Sequence, residues 1–378
     1  MFNKYLLLLV CLFLVVAVVG CSRQRGVVSE RTIPLAGDRF RPIGLDRGWF
    51  NDSMKLAAGE EVKQVWLEQK SIYCLTSLNK LYRLDREQGA IRWMLELAEP
   101  PRVVRRPAEA GDKTLVVSHN VVKVYELESG NLLKEFPLEL SANSAPAFNG
   151  ETLFIADTTG RVLAVEVANG VELWRCRSEK AISAQPVYRG RMLVSVSESG
   201  EVLAYDTQFG EPVWPDHFPT RGAVLAQPVL TPQACYVASM DSMLYCVRSG
   251  GGDELWRYFA SKGLRVAPKV ADGRVFLPIP DKGLVVLDAA NGEELEGFQF
   301  ADGKEYIGRV RDRVYILSKR GYIVSADAQS GERLREVRVG DFDFFLGDDK
   351  AGRIYLADAK GRIICLQELR AGLRQVEP

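Results

Sequence analysis

Carboxylates are the most regular candidates for chemistry in this chain. Asp85, Glu126, Glu166, Asp206, Asp288 and Asp327 recur at one place before a following glycine, with Arg248 and Gln367 as exceptions. Convergent carboxylates act as acid–base pairs or hold a cation. A repeated acid before a turn has a plainer use, because its oxygens accept the backbone N–H bonds of that turn. A catalytic site breaks a repeat, so a column that follows the repeat reads as turn chemistry. His119 and His217 lie far apart, at a hairpin turn and in the loop WPDHFP (214–219), and complete no Ser/His/Asp arrangement. Gly250-Gly251-Gly252 is not followed by the Lys-Ser/Thr of a phosphate loop, and a strand rather than a helix comes next. The residues therefore assign no catalytic, cofactor-binding or metal-binding group, and no cofactor is expected.

Seven cysteines are present. Cys11 and Cys21 belong to the N-terminal segment, which leaves Cys74, Cys176, Cys235, Cys246 and Cys365. An odd number argues against a full disulfide framework. If the unit-five hairpin is centred on residues 239–242, as that of unit three is on 157–160, Cys235 faces Cys246 within disulfide range. The alternative is that Cys246 and Cys365 fill a small-residue column with Ala164, Ala204 and Ser325.

The charge is balanced, 49 Lys+Arg against 49 Asp+Glu, so no basic surplus points to nucleic acid. The clusters Arg102, Arg105, Arg106 and Arg309, Arg311, Arg313 are interspersed with acids and read as a solvated rim. Apolar residues make up 47% of the chain, enough for a substantial core.

Residues 1–21, MFNKYLLLLVCLFLVVAVVGC, have one Lys, then a 15-residue apolar run from Leu6 to Gly20. The run is too short to span a bilayer core and fits a signal peptide over 1–20. Its end, Val18-Val19-Gly20-Cys21, resembles the lipobox of bacterial lipoproteins. That resemblance implies lipidation at Cys21, and Ser22 rather than Asp after it implies the outer membrane in a double-membrane host. Residues 21–39 read as a flexible tether, which leaves 40–378 as one domain.

What positions these residues is a repeat. Gly89, Gly130, Gly170, Gly210, Gly252, Gly292 and Gly331 are spaced 39 to 42 residues apart. Eight residues before each stands an aliphatic side chain, from Leu81 to Ile323, and an eighth unit carries Ile363. Four after stand Trp93, Trp174, Trp214 and Trp256, with Lys134, Glu296 and Arg335 in the other units. Within a unit the pattern alternates with period two, as in Leu153–Ala156 and Arg161–Glu166, joined by Asp157-Thr158-Thr159-Gly160. Four short strands per unit, eight times over, predict an all-β, eight-bladed β-propeller of four-stranded antiparallel blades. The eighth unit runs out of chain after Leu369, so the segment Arg41–Trp49 is expected to complete the last blade and close the ring.

LAVEVANGVELW (163–174) and LAYDTQFGEPVW (203–214) resemble the repeat of quinoprotein-type eight-bladed propellers, roughly A-x-D-x-x-x-G-x-x-x-W. The resemblance covers about residues 60–370. It implies that Trp93, Trp174, Trp214 and Trp256 dock between neighbouring blades. One branch of that superfamily comprises pyrroloquinoline-quinone dehydrogenases, often with an adjacent Cys-Cys disulfide and a Ca²⁺ on Glu, Asn and Asp. This chain has no Cys-Cys pair and little spare length for such a site. The other branch resembles the propeller lipoproteins of outer-membrane β-barrel assembly, whose layout is a lipobox, a tether and eight compact blades. The resemblance implies a membrane-anchored, extracytoplasmic scaffold with protein partners and no enzyme activity. A quinone-dependent redox enzyme is the alternative, and a propeller that binds saccharide or peptide is the second alternative. Residues just before the strand-opening prolines, Arg105, Gln185, Gln227 and Arg265, are expected near one mouth of the central channel.

Overall fold

The computed structural model describes residues 37–97 and 103–369. Residues 1–20, expected to be a signal peptide, and Cys21 lie outside the described residues. Eight four-stranded antiparallel sheets follow one another along the chain. Blade 1 comprises Val62–Leu67, Ser71–Thr76, Lys80–Asp85 and Ile91–Glu96. Blades 2 to 7 span 108–137, 147–177, 187–219, 229–259, 269–300 and 303–338. Blade 8 is made of Phe344–Asp348, Arg353–Ala357 and Ile363–Glu368, and its outer strand is Leu45–Asn51 from the other end of the chain. The two ends pair antiparallel, with Leu45 opposite Glu368 and Asn51 opposite Ile363. The ring is thus closed by hydrogen bonds of the first strand to the last, as the sequence predicts.

The order within each blade follows from its apolar pattern. The second and third strands are nearly continuous apolar runs and are buried on both faces, as in Thr152–Ala156 and Ala234–Ala238. Outer strands alternate instead, as Val171–Arg177 does. Both faces of the middle strands are covered because each blade stacks on two neighbours. The core is accordingly a series of layers, each drawn from two adjacent blades. One layer joins Val117, Phe136, Ile155 and Val165 of blades 2 and 3. Another joins Tyr236, Trp256, Val275 and Leu287 of blades 5 and 6. The first strands of neighbouring blades touch at the ring centre, as between blades 8 and 1 and between blades 4 and 5.

The joint between blades 7 and 8 is built differently. A short 3-10 helix, Gly37–Ile43, lies against the outer strand of blade 7. Its Phe40 and Ile43 are fully buried. Tyr315 donates a hydrogen bond to the Ile43 carbonyl at 3.0 Å, and Arg39 pairs with Asp341 at 2.8 Å.

Candidate functional site: the blade joints and the channel mouth

Each joint begins with the acidic column. Asp85 accepts the N–H groups of Glu87 and Gln88, and Asp206 those of Gln208 and Phe209, at 2.8–3.0 Å. Asp327 does the same for Gln329 and Ser330. Burial raises the Asp206 carboxyl, but these N–H bonds and Arg191 outweigh it and hold it below the usual range. The column is therefore turn chemistry, as its regularity implies. Four residues on, the turn glycines all have φ between +71° and +80°, a left-handed conformation that L side chains adopt at a cost. Their N–H groups close the turn onto the carbonyl of the acidic position at 2.8–2.9 Å.

The bare face of each glycine is a seat for an aromatic ring from the preceding blade. A Cβ on Gly130 would stand 2.7 Å from the Trp93 ring, on Gly210 2.7 Å from Trp174, and on Gly252 2.8 Å from Trp214. Gly292 seats Trp256 in the same way. Each indole also donates across the joint: Trp93 to the Leu127 carbonyl at 2.8 Å, Trp174 to Thr207 at 3.1 Å, Trp214 to Ser249 at 2.8 Å and Trp256 to Ala289 at 3.1 Å. Side chain and backbone are fixed by one contact.

A one-residue bulge precedes the Trp position in six blades, and in blades 1, 3, 5 and 8 it aims the ring. In blades 1, 2, 3, 5, 7 and 8 the ladder slips at the residue directly before the Trp position: Arg92, Leu133, Leu173, Leu255, Leu334 and Gly48. An extra residue on one strand re-aims the next side chain. It also explains why Leu133, Leu173, Leu255 and Leu334 are exposed on the outer edges.

Three docking aromatics escape the sequence pattern. Trp49, on the closing strand, seats on Gly89 and donates to the Arg86 carbonyl at 3.2 Å. It precedes Gly89 much as Trp93 precedes Gly130, which is the signal that finds it. In blade 2 the Trp role is divided: Phe136 covers Gly170, while Lys134 donates to the Ala168 carbonyl at 2.6 Å. In blade 6 Phe298 takes the seat on Gly331, two residues past Glu296.

The channel residues separate into two places. Gln185 and Gln227 line a polar cavity of about 220 Å³ at the ring centre with Glu68, Arg106 and Tyr188. Gln185 donates to the Pro146 carbonyl at 2.7 Å. Arg106 holds Glu68 at 2.7 Å and the Leu67 carbonyl at 3.0 Å, so it pins blade 2 to blade 1. Burial pushes the Glu68 carboxyl up in spite of Arg106. Arg105 lines another cavity of about 340 Å³ between blades 2 and 3, beside His119 and Asn143, and donates to the Ala142 carbonyl at 3.1 Å. Arg265 is exposed in the loop between blades 5 and 6. Both histidines are exposed. Among the described residues no group of three or more His, Cys, Asp or Glu is arranged to hold a metal ion.

The family model described as outer membrane protein assembly factor BamB matches residues 118–234 and 219–296. A curated relative, the outer membrane protein assembly factor BamB of Yersinia pestis, is 26% identical over 252 residues, covering 59% of this chain. The match spans 63% of that relative, less than two thirds of its length. Among solved structures, BamB from Moraxella catarrhalis superposes with a TM-score of 0.65 at 14% identity, over 87% of this chain and 98% of that one. The chain is an eight-bladed β-propeller that is similar to BamB over residues 118–296 in sequence and over the ring in fold. The computationally designed Ika8 protein superposes almost as well, with a TM-score of 0.64 at 14% identity, over 82% of this chain and 96% of that one. At such identity these two likenesses concern the fold.

The register does not bring Cys235 opposite Cys246, so the pairing that a hairpin centred on 239–242 would allow is not made. In the BamB-like ring Cys235 lies opposite Val247, and Tyr236 lies opposite Cys246. The two hairpins share one centre, with Thr152 opposite Glu166 and Ala234 opposite Arg248, and it lies half a step from a centre on residues 239–242. Side chains alternate faces, so the two thiols enter different layers, Cys235 towards blade 4 and Cys246 towards blade 6. Both are free, as are Cys74, Cys176 and Cys365. Burial pushes the Cys235 and Cys246 thiols up to about 12.

Proposed function

We propose that this chain is a membrane-anchored, extracytoplasmic scaffold that assists outer-membrane protein assembly. In this reading residues 1–20 are removed, Cys21 carries lipid, residues 21–39 form a tether and residues 40–378 form the ring. The observation that carries it is the joint match to BamB, in sequence across 118–296 and in ring architecture. The physical logic agrees. Seven joints locked by an aromatic on a glycine make a stiff ring, and a stiff ring presents loops at low entropic cost. Gln185 and Gln227 at the channel mouth, with the loops that carry Arg105 and Arg265 away from it, form the presenting face. A lipid at Cys21 holds that face at the membrane, stably when more than one acyl chain is attached.

The test is mild cross-linking in native membranes, then affinity purification and mass spectrometry. Recovery of β-barrel assembly components supports the reading. Their absence, with the protein abundant and folded, overturns it. Cys21→Ser should move the protein from the membrane to the soluble extracytoplasmic fraction.

A further inference from the structure

The repeat is broken at blade 6, in a way that opens a site. There Leu284 faces Phe300 and Val285 faces Gln299, but Leu287 faces Glu294. Four residues, Leu295–Phe298, therefore stand opposite Val286 alone, where six other blades have a one-residue bulge. Blade 4 is also irregular, but its outer edge is broken by Pro212, Pro215 and Pro219, and Trp214 keeps its seat on Gly252. In blade 6 Phe298 leaves to cover Gly331, and nothing fills the space behind it. The result is a cavity of about 320 Å³, walled by Leu284, Val285, Val286, Leu295, Phe298 and Phe300. Lys282, Glu294 and Glu296 form its rim.

The rim is asymmetric in charge. Lys282 is consumed by Glu294 at 2.7 Å and by the Tyr258 hydroxyl of blade 5 at 2.8 Å. Tyr258 also donates to Glu294 at 2.6 Å. This triad fixes one lip of the cavity to the neighbouring blade. Glu296, on the other lip, is exposed and makes no ion pair among the described residues. The mouth therefore presents one uncompensated carboxylate beside an apolar hole at the low end of ligand-pocket size. The bulge also removes backbone groups of 295–298 from the ladder, on a strand whose outer edge is open.

We propose that the blade 6 bulge is a docking groove for an extended peptide segment of a partner protein. The segment inserts one aromatic or branched apolar side chain into the cavity and sets an adjacent Lys or Arg against Glu296. The outer edge of the strand, beside residues that leave the ladder, suits a strand-like ligand. The negative rim disfavours the anionic headgroup of a phospholipid, which selects peptide over an acyl chain. This deepens the scaffold reading and rests on it.

The full chain, purified in mild detergent, is panned against a displayed library of random dodecapeptides. Selected peptides should share an apolar residue next to Lys or Arg. Leu295→Trp, which fills the hole, should weaken their binding about tenfold or more, as removal of a central anchor does. Glu296→Lys, at an exposed position that the fold does not need, should weaken it about threefold, and more at low salt. Selected peptides without that pattern, or with equal affinity for both variants and the parent, overturn the groove. Displacement of the peptides by a fluorescent fatty acid alone would reassign it to lipid. Recovery of assembly components by membrane cross-linking with no peptide bound removes the groove and leaves the scaffold. Peptide binding without those components does the reverse.

Discussion

The joint between blades 3 and 4 and the joint between blades 6 and 7 solve one problem with different parts. At the first, Trp174 lies on Gly210 and donates to Thr207, and a single bulged residue, Leu173, aims it. At the second, Phe298 lies on Gly331 without a hydrogen bond, and the backbone of Gly297 touches that of Ser330 directly. The seat is conserved in geometry while its occupant and the strand before it vary. A joint of the first kind concentrates its stability in one side chain. A joint of the second kind spreads it over backbone contact, the Phe298 ring and Arg274, whose guanidinium lies 4.5 Å from that ring.

The largest expected effect tests that concentration. Trp174→Ala removes a large side chain that is 8% exposed and leaves the Thr207 carbonyl unpaired. Such truncations cost about 3–5 kcal/mol. Phe298→Ala should cost about 3 kcal/mol, at the lower end of that range, because the backbone contact remains. Urea denaturation of both variants measures the gap, and equal losses would break the comparison.

Next in size is the seat. Gly210→Ala and Gly331→Ala place a methyl at φ +72° and +78° and against a ring. Left-handed strain and overpacking together suggest about 2–3 kcal/mol each. The cycle with Trp174→Ala sharpens the point. Removing the ring relieves the clash, so the double variant Trp174→Ala/Gly210→Ala should be more stable than the sum of the singles by about 1 kcal/mol or more. Strict additivity would mean that ring and glycine do not share the seat.

How far these joints are legible in the sequence depends on what the residue type must do. Glycine at a left-handed turn and an acid that caps it have few substitutes, so Gly130, Gly210 and Asp206 stand out in register. The docking ring has several substitutes. Trp49 is hidden because it belongs to a strand at the opposite end of the chain from its blade. Phe136 and Phe298 are hidden because they sit two residues late, and only the ring contacts with Gly170 and Gly331 show that they reach the same seat. The same one-residue sensitivity defeats the Cys235–Cys246 inference, since a shift from Val247 to Cys246 exchanges the faces of the sheet. The groove of blade 6 is legible only as a missing Trp at Glu296. The cavity itself depends on a ladder slip that alternation does not encode.

Trp174→Phe sharpens the comparison with a smaller effect. It keeps the ring on Gly210 and removes the indole N–H that Thr207 accepts at 3.1 Å. A lost neutral hydrogen bond is worth about 1 kcal/mol, and the first joint then resembles the second. Phe298→Trp should not return that energy at the second joint, because the one-residue bulge that aims the indole is absent there.

The smallest effect is the acid response, in which the two joints should behave alike. Asp206 is held below its usual value of 3.8 by the N–H groups of Phe209 and Gln208 and by Arg191, against burial. Asp327 is held low by the N–H groups of Ser330 and Gln329. A depressed folded value means that the unfolded chain takes up the proton first. Each turn therefore contributes fully above the unfolded value and loses its contribution as pH falls through the folded one. Asp206→Asn and Asp327→Asn should both flatten the loss of stability below about pH 4, by less than the parent loses to any substitution above. Glu68 at the channel has the opposite sign. Burial raises its folded value above 4.5 despite Arg106, so the folded ring binds the proton more tightly and stability falls as pH rises through that window. Glu68→Gln should flatten the curve above about pH 4.5 and leave the acid limb unchanged. A urea midpoint series across pH separates the two: turn carboxylates bend the acid side, and the channel carboxylate bends the other.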